Sequence, residues 1–497
     1  MNTFAASALK TATSQSNSTV TTNGAKAFKS TRNANLDLFG KSGEIKYPNF
    51  LADFQKALAE DEDIAIRNLL HTRDVRSGKG VRNTFQSGLV WLAINKPSLI
   101  LQSNILNKVT ELGYWKDLFV LVEEATVGLS IKQRVILTIA RGLEDESTQG
   151  LVAKWLPLKG PVASMLRSYL KLTPKQLRQK IVPLRSQVTE RFMCEQRWSE
   201  ITYQHVPSRC MHLNHKAFRS HDTDRFNKFM EKAAAGEVKV NSGTLYPHEI
   251  TEAYSGATEC DRYGYAYRKP TIEVNTVAEA QWKNLPNWLE GKTNTILPVV
   301  DLSGSMNTSA GKWSYSHIAI TLAAYISERT EGPFKDLVTT FADEPVFVNL
   351  QSANTLLDRL KLINAGRVGY STNIEGTFNL ILNHAIQNRV PQSDMPEALL
   401  FLSDTQSNFT SRHRTVYQAC REKFIAAGYE PPKLLFWVLN ATGITNVPVE
   451  FDSSGAALVS GFSPSVMKGL LTDLEQYTPE NVMLATLNDA RYSLTYY

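Results

Sequence analysis

The sequence predicts a multidomain protein in which an α-helical N-terminal region precedes a doubly wound α/β domain. Three observations carry this. The chain has 497 residues, more than one ordinary core accommodates, so two or three domains are expected. From about Tyr47 to Pro207 apolar residues recur three and four apart with few β-branched runs, the pattern of helix after short helix. After Thr295 short apolar runs alternate with helical periodicity, which predicts a mainly parallel sheet with helices on both faces.

Residues 1–44 are expected to be a disordered tail. Met1 to Leu36 is rich in Ser, Thr, Asn and Ala and has no acidic residue before Asp37. That resembles a transit peptide in part, but the arginine-rich amphipathic pattern is missing. Residues 45–210 form the helical region. Gly88 to Ile94 reads as a buried helix stopped by Pro97, with further helical units from Ile100 to Glu124 and from Ile131 to Leu143. No fixed period emerges, so HEAT-like repeats and irregularly packed helices both stay open.

Residues 211–290 are more polar and are expected to be an irregular α+β connection. Here Tyr254, Tyr263, Tyr265 and Tyr267 lie beside Arg262, Arg268 and Lys269. Such a mixture can stack on bases, but tyrosines two apart also mark one face of a half-buried strand, which is the reading favoured. Residues 291–497 form the α/β domain. Its expected strands are Ile296 to Val300, Leu337 to Phe341, Val346 to Leu350, Ala398 to Leu402 and Leu434 to Leu439. Helices are expected from Ser314 to Arg329, Thr372 to Ala385 and Thr415 to Ala427.

Composition narrows the function. With 42% hydrophobic and 21% charged residues the chain is of the soluble globular class. No apolar run approaches the roughly 20 residues a bilayer requires, so no membrane partner is expected. Cys194, Cys210, Cys260 and Cys420 are far apart and without C-x-x-C spacing, which fits a reducing, cytoplasmic setting. From Gly291 onward 15 Lys+Arg face 19 Asp+Glu, or −4, leaving 39 against 29, or +10, in residues 1–290. A basic half can meet RNA by neutralising phosphates, although an excess of this size is also an ordinary solvated surface.

The clearest motif follows the first apolar strand. Asp301-Leu-Ser303-Gly-Ser305 puts a carboxylate and two hydroxyls on one tight loop, where Gly304 is expected to permit the turn. Mg²⁺, a hard cation wanting about six oxygens, suits such donors. Thr372 and Asp404 come later in the chain at the same expected sheet edge, where ligands of α/β folds sit. The set resembles the metal-ion-dependent adhesion site of von Willebrand factor A domains, D-x-S-x-S, then Thr, then Asp. That resemblance implies a divalent cation, most naturally Mg²⁺, at Asp301, Ser303, Ser305, Thr372 and Asp404. It also implies a coordination position open to an acidic group of a protein partner. A purely structural cation tying the loops together is the alternative.

Further resemblance lies in the front half. Thr72 to Arg82, Gly113 to Leu118, Ala153 to Pro157, Asn241 to Ile250 and Gln281-Trp282 resemble an uncharacterised family of cellular and viral genomes that joins a helical region to a von Willebrand factor A domain. The pieces R-D-x-R-x-G-K-G and G-x-W-x-D-L are more distantly similar to the Ro ribonucleoprotein family with its TROVE module. There helical repeats form an RNA-binding ring closed by such a domain. The resemblance implies phosphate contact by Arg73, Arg76, Lys79 and Arg82, with Gly78 and Gly80 allowing close backbone approach. Trp115 and Trp155 are expected as core anchors, and Arg73-Asp74 can also be read as a helix-end ion pair.

No catalytic constellation stands out, and no enzyme is expected. Gly78-Lys79-Gly80 lacks the phosphate-loop frame, Ser303-Gly304-Ser305 is not a nucleophile elbow, and His248-Glu249 lacks the second histidine of a zinc hydrolase. His248 is expected as a hydrogen-bonded structural residue beside Pro247. Two readings remain: an RNA-binding ribonucleoprotein-type protein with a cation site, and a Mg-dependent protein scaffold without nucleic acid, viral assembly included.

Overall fold

The computed structural model describes residues 18–20, 26–28, 30–43, 47–185, 188–260, 266–270, 273–291, 295–307, 309–310, 313–341, 344–366, 374–403, 420–439, 456–460 and 478–497. The chain divides into two compact units. One comprises Met1–Ala65, Tyr246–Glu252 and Asn287–Leu487; the other comprises Ile66–Leu245, Ala253–Pro286 and Asn488–Tyr497.

The first unit is built on a six-stranded sheet. Its spatial order is Ala456–Ser460, Lys433–Val438, Ala398–Ser403, Ile296–Asp301, Leu337–Phe341 and Phe347–Asn349. All neighbours are parallel except the last pair, which is antiparallel, so the sheet is mixed. The three central runs are buried along their whole length or nearly so, as expected of strands covered on both faces. Leu297, Val299, Leu399, Phe401, Leu434 and Phe436 share a core cluster with Phe378, Ile381 and Phe424, placing the Ile374–Asn388 helix on one face. Helix Tyr315–Arg329, which contributes nothing to that cluster, packs on the same central strands, so helices flank both faces.

Two segments remote in sequence complete this unit. Helix Ala34–Lys41, inside the expected tail, buries Leu36, Leu38 and Phe39 and packs on Ala456–Ser460 and on helix Pro479–Leu487. Part of the expected tail is therefore regular structure: Ser18–Val20 pairs antiparallel with Lys26–Phe28, and three buried apolar side chains in eight residues dock the Ala34–Lys41 helix. Helix Pro247–Thr251 packs on helix Tyr315–Arg329. There His248 is 1% exposed, stacked on Tyr246 and edge-on to Trp313.

The second unit is predominantly helical. Helix Arg82–Asn95 ends as expected before Pro97, but that proline also opens helix Pro97–Gln102 at its first turn, where a missing N–H costs nothing. Helix Leu129–Glu144 buries Ile131, Val135, Ile136, Ile139, Ala140 and Leu143, one face of an amphipathic helix. Trp115 is 9% exposed and lies so close that a Cβ at Gly142 would meet its ring at 2.3 Å.

The expected irregular connection is more regular than its polarity indicated. Helices Ser208–His221 and Thr223–Ala234 occupy its first part, burying Phe218, Phe226, Phe229 and Met230 in one cluster. Gln281 donates to the carbonyls of Ser208 and Asn241 at 2.9 and 3.1 Å beside the buried Trp282. Ser255–Cys260 and Ala266–Pro270 pair as an antiparallel hairpin, so Tyr267 is in a strand, while Tyr254 ends a 3₁₀ turn. Tyr263, Tyr265 and Arg262 lie outside the described residues.

Candidate functional site

The sheet order alone singles out one position. Chain direction runs from Ile296–Asp301 to one side through Leu337–Phe341, then returns to the other side at Ala398–Ser403. The crevice between Ile296–Asp301 and Ala398–Ser403 is therefore the topological switch point, and ligands of open α/β sheets bind beyond the carboxyl ends of strands there. Asp301 is the last residue of its strand and Ser403 the last of its neighbour. The register pairs Val300 with Leu402, so the next residues on each, Asp301 and Ser403, fall side by side.

The local geometry follows. Asp301 is 0% exposed. Its Oδ1 accepts from the Ser303 amide at 2.9 Å and its Oδ2 from the Ser403 hydroxyl at 2.5 Å. The chain then turns through a 3₁₀ segment, Gly304–Asn307, anchored by the buried Leu302 and Met306. Ser303 Oγ and Ser305 Oγ are 3.1 Å apart, the former buried and the latter exposed. On the far side Ser316 donates to Asn307 at 3.4 Å and exchanges a hydrogen bond with Ser314 at 2.9 Å.

These donors fit a hard cation. Neighbouring oxygens of an octahedron with Mg–O of about 2.1 Å stand roughly 3.0 Å apart, close to the 3.1 Å between the two serine hydroxyls. Asp301 brings carboxylate oxygens to the same loop, hard donors of the kind Mg²⁺ prefers. Among the described residues there is no group of three His, Cys, Asp or Glu able to hold a metal; what the loop brings together is one carboxylate and serine hydroxyls. Thr372 and Asp404 lie outside the described residues. Ser403 was missed in sequence, where the adjacent Asp404 drew attention; its place at a strand terminus beside the motif strand was the available signal. Gly304 does not play the part expected of it: an added Cβ would meet nothing within 4 Å, and it is not among the glycines with positive φ.

In the helical unit, the four expected phosphate-contacting cations do not share a surface. Arg73 is 1% exposed, its Nε donating to Asp117 Oδ2 at 2.7 Å with its guanidinium over the Tyr114 ring. Arg82 donates to the other oxygen of Asp117, also at 2.7 Å. Lys79 is 5% exposed. Arg76 is exposed and donates to the Glu111 carbonyl at 3.0 Å. Asp74 pairs with Arg491 at 2.9 Å and accepts from Tyr492 at 3.0 Å, so the adjacent Arg73 and Asp74 serve different partners.

The glycines of this segment are required for a different approach from the one expected. A Cβ at Gly78 would lie 2.0 Å from the His71 carbonyl oxygen, and Gly80 has φ +68°. They let the loop fold back on its own helix, where Lys79, Gly80 and Val81 amides donate to His71, Asp74 and Thr72 carbonyls. His71 is held neutral, its pKa pushed well below the usual 6.5 by burial and then by the charges of Lys79 and Arg491. Burial, reinforced by Asp74, pushes the Tyr492 phenol up.

Trp155 departs from expectation. It is 37% exposed and stacks on Tyr114, 39% exposed, with ring centroids 5.8 Å apart. Charge also sorts more sharply by compact unit than by a linear cut. The helical unit holds 33 Lys+Arg against 20 Asp+Glu, or +13, and the α/β unit 21 against 28, or −7.

Comparison with known proteins places these features in a family. A model described as Domain of unknown function (DUF7788) matches residues 295–491. One described as Domain of unknown function (DUF2828) matches residues 21–154 and 132–294. An uncharacterized protein of Acanthamoeba polyphaga mimivirus is 28% identical over 521 residues, covering 95% of this chain and 87% of that one. Among solved structures, the Deinococcus radiodurans RO (RSR) protein shares 15% identity at a TM-score of 0.36, covering 92% of this chain and 93% of that one, a likeness too low to carry an argument. Since the DUF2828 matches together span more than half of the sequence, the chain belongs to the DUF2828 family.

Proposed function

We propose that this is a non-enzymatic RNA-binding protein of ribonucleoprotein type. Its helical unit contacts RNA, and its α/β unit is a von Willebrand factor A-like domain with a metal-ion-dependent adhesion site. The observation that carries the RNA reading is the separation of charge, +13 on the helical unit against −7 on the other, because a polyanion is attracted to one and repelled by the other. The cation reading is supported by Asp301 at the switch point with the Ser303 and Ser305 hydroxyls beside it.

In this reading Asp301, Ser303 and Ser305 hold Mg²⁺, with Thr372 and Asp404 as the remaining donors. The ion supplies a positive point that attracts an anionic oxygen. Ser403 and the Ser303 amide orient the Asp301 carboxylate toward it. The exposure of Ser305 at the rim favours a second reading, a protein scaffold in which that ion captures a partner's Asp or Glu without nucleic acid.

One experiment separates them. The protein is purified from native lysate, and its co-purified material is assayed after nuclease, after EDTA, and in Asp301→Ala. Loss with nuclease and persistence in EDTA is expected for RNA binding; loss with EDTA and Asp301→Ala while nuclease has no effect would replace it with the scaffold.

A further inference from the structure

One stretch of the helical unit has no acidic residue at all. Between Glu146 and Glu190 there are eight Lys and Arg and no Asp or Glu. This stretch folds into helices Gln149–Trp155, Pro161–Leu170 and Pro174–Leu184. The last packs on the first, which in turn packs on the Trp115–Leu118 turn. Three of its cations are turned to the protein: Arg185 donates to the carbonyls of Ala153 and Leu156, Arg167 donates to the Ala163 carbonyl at 3.3 Å, and Lys154 pairs with Glu190 at 2.7 Å. Lys159, Lys171, Lys175, Arg178 and Lys180 are exposed and form no ion pair among the described residues.

The aromatic pair Tyr114–Trp155 joins the last residue of helix Gln149–Trp155 to the residue that precedes the Trp115–Leu118 turn. Its ring planes are 29° apart. The ammonium groups of Lys116 and Lys154 stand 5.9 and 5.6 Å from the Trp155 centroid, and the Arg73 guanidinium lies 4.9 Å from that of Tyr114. A buried stacked pair would be core packing. A pair in which each residue is more than a third exposed, with two lysine ammonium groups beside the indole and next to helices bearing no anion, is what unpaired bases and their phosphates require. Duplex bases are already stacked and present no face to such rings.

We propose that Tyr114 and Trp155, with the exposed cations Lys159, Lys171, Lys175, Arg178 and Lys180, form a binding face for single-stranded RNA. This rests on the RNA reading above and deepens it by assigning the surface and the strandedness. Sequence is not read here: ring stacking and phosphate neutralisation accept every base.

The test is fluorescence anisotropy of the full chain with a labelled 20-nucleotide oligouridylate at several salt concentrations. Trp155→Ala is expected to weaken binding about tenfold, the loss of stacking on one ring. The combined Lys159→Glu, Lys175→Glu, Arg178→Glu variant, all at exposed positions, is expected to weaken it further. It should also flatten the salt dependence by about 0.7 in log–log slope per lost phosphate contact. Circular dichroism checks that each variant is folded. Wild-type binding with both variants unchanged overturns the assigned face but leaves the RNA reading intact; no wild-type binding at low salt removes both. Equal affinity for duplex RNA, tighter binding of the matching DNA oligonucleotide, or charge-dependent sedimentation with anionic phosphatidylserine vesicles in place of RNA binding would each overturn the proposal.

Discussion

Two aspartates, Asp117 in the helical unit and Asp301 in the α/β unit, are equally buried at 0% exposure, yet they are set in opposite surroundings. Asp117 accepts Nε–H from both Arg73 and Arg82 and the amide of Tyr114, so its charge is met inside the unit by guanidinium groups. Asp301 accepts from the Ser403 hydroxyl and the Ser303 amide, which orient its carboxylate at the end of the strand. Burying an anion is costly unless it is paired or coordinates a metal. Asp117 is thereby a structural anchor held by two arginines, whereas Asp301 stands at a sheet edge among serine donors, the place where the proposed cation would sit.

The sharpest way to break that contrast is to delete the anchor. Asp117→Ala leaves the Arg73 guanidinium, whose side chain is 2% exposed, buried without its anion. Removing one partner of such a pair costs about 3–5 kcal/mol. Urea unfolding of the full chain is expected to show a loss of about that size relative to wild type, the same with and without Mg²⁺. A change below about 1 kcal/mol would place Asp117 among ordinary surface-type pairs.

The counterpart at the sheet edge behaves differently on the proposed reading. Wild-type protein is expected to gain thermal stability with added Mg²⁺ in the way any ligand of the native state stabilises it, about 2.7 kcal/mol at a hundredfold excess over Kd. Asp301→Ala should lose that dependence, while Asp117→Ala should keep it. An equal Mg²⁺ response in wild type and Asp301→Ala would remove the cation from this loop.

A smaller effect probes the interior around the glycine loop of the helical unit. His71 has its pKa depressed by burial and by Lys79 and Arg491, so the native state resists its protonation while the unfolded chain accepts a proton below about 6.5. Stability from this residue is present above pH 6.5 and is lost as pH falls below it, at most about 1.4 kcal/mol per pH unit. The melting temperature between pH 7 and pH 5.5 should fall less steeply in His71→Gln than in wild type. Parallel curves would show that His71 does not report on this interior.

The α/β half was the more legible because its signals are local. Alternating apolar runs placed the five expected strands within a residue or two, and the burial of Ile296 to Asp301 was visible as an unbroken apolar run before an acid. Partnerships between distant residues were not visible. Nothing near Arg73 in sequence indicates Asp117, 44 positions away, so a cationic cluster read as a phosphate surface is, for Arg73 and Lys79, an interior. Trp155 was unreadable for a related reason. A tryptophan at the end of an apolar run looks like core, and only the packing of Tyr114 against it leaves both rings partly in water. Ser403 needed the register of two parallel strands to stand beside Asp301.

The smallest expected effect concerns the loop that joins Asp301 to its serines. Gly304 reads in sequence as the turn residue and Gly78 as a point of close approach to phosphate; Gly78 is instead required against its own helix, and Gly304 has no steric requirement. Gly142, in the helical unit, would drive a Cβ to 2.3 Å from the Trp115 ring, so Gly142→Ala should cost about 1–3 kcal/mol by overpacking. Gly304 has open space around it, so Gly304→Ala should stay within about 0.5 kcal/mol of wild type and keep its Mg²⁺ response. Thermal melts with and without Mg²⁺ measure both. If Gly304→Ala instead abolished the Mg²⁺ response at unchanged stability, the loop would have to rearrange when the ion binds, and the glycine would be serving that motion rather than the turn.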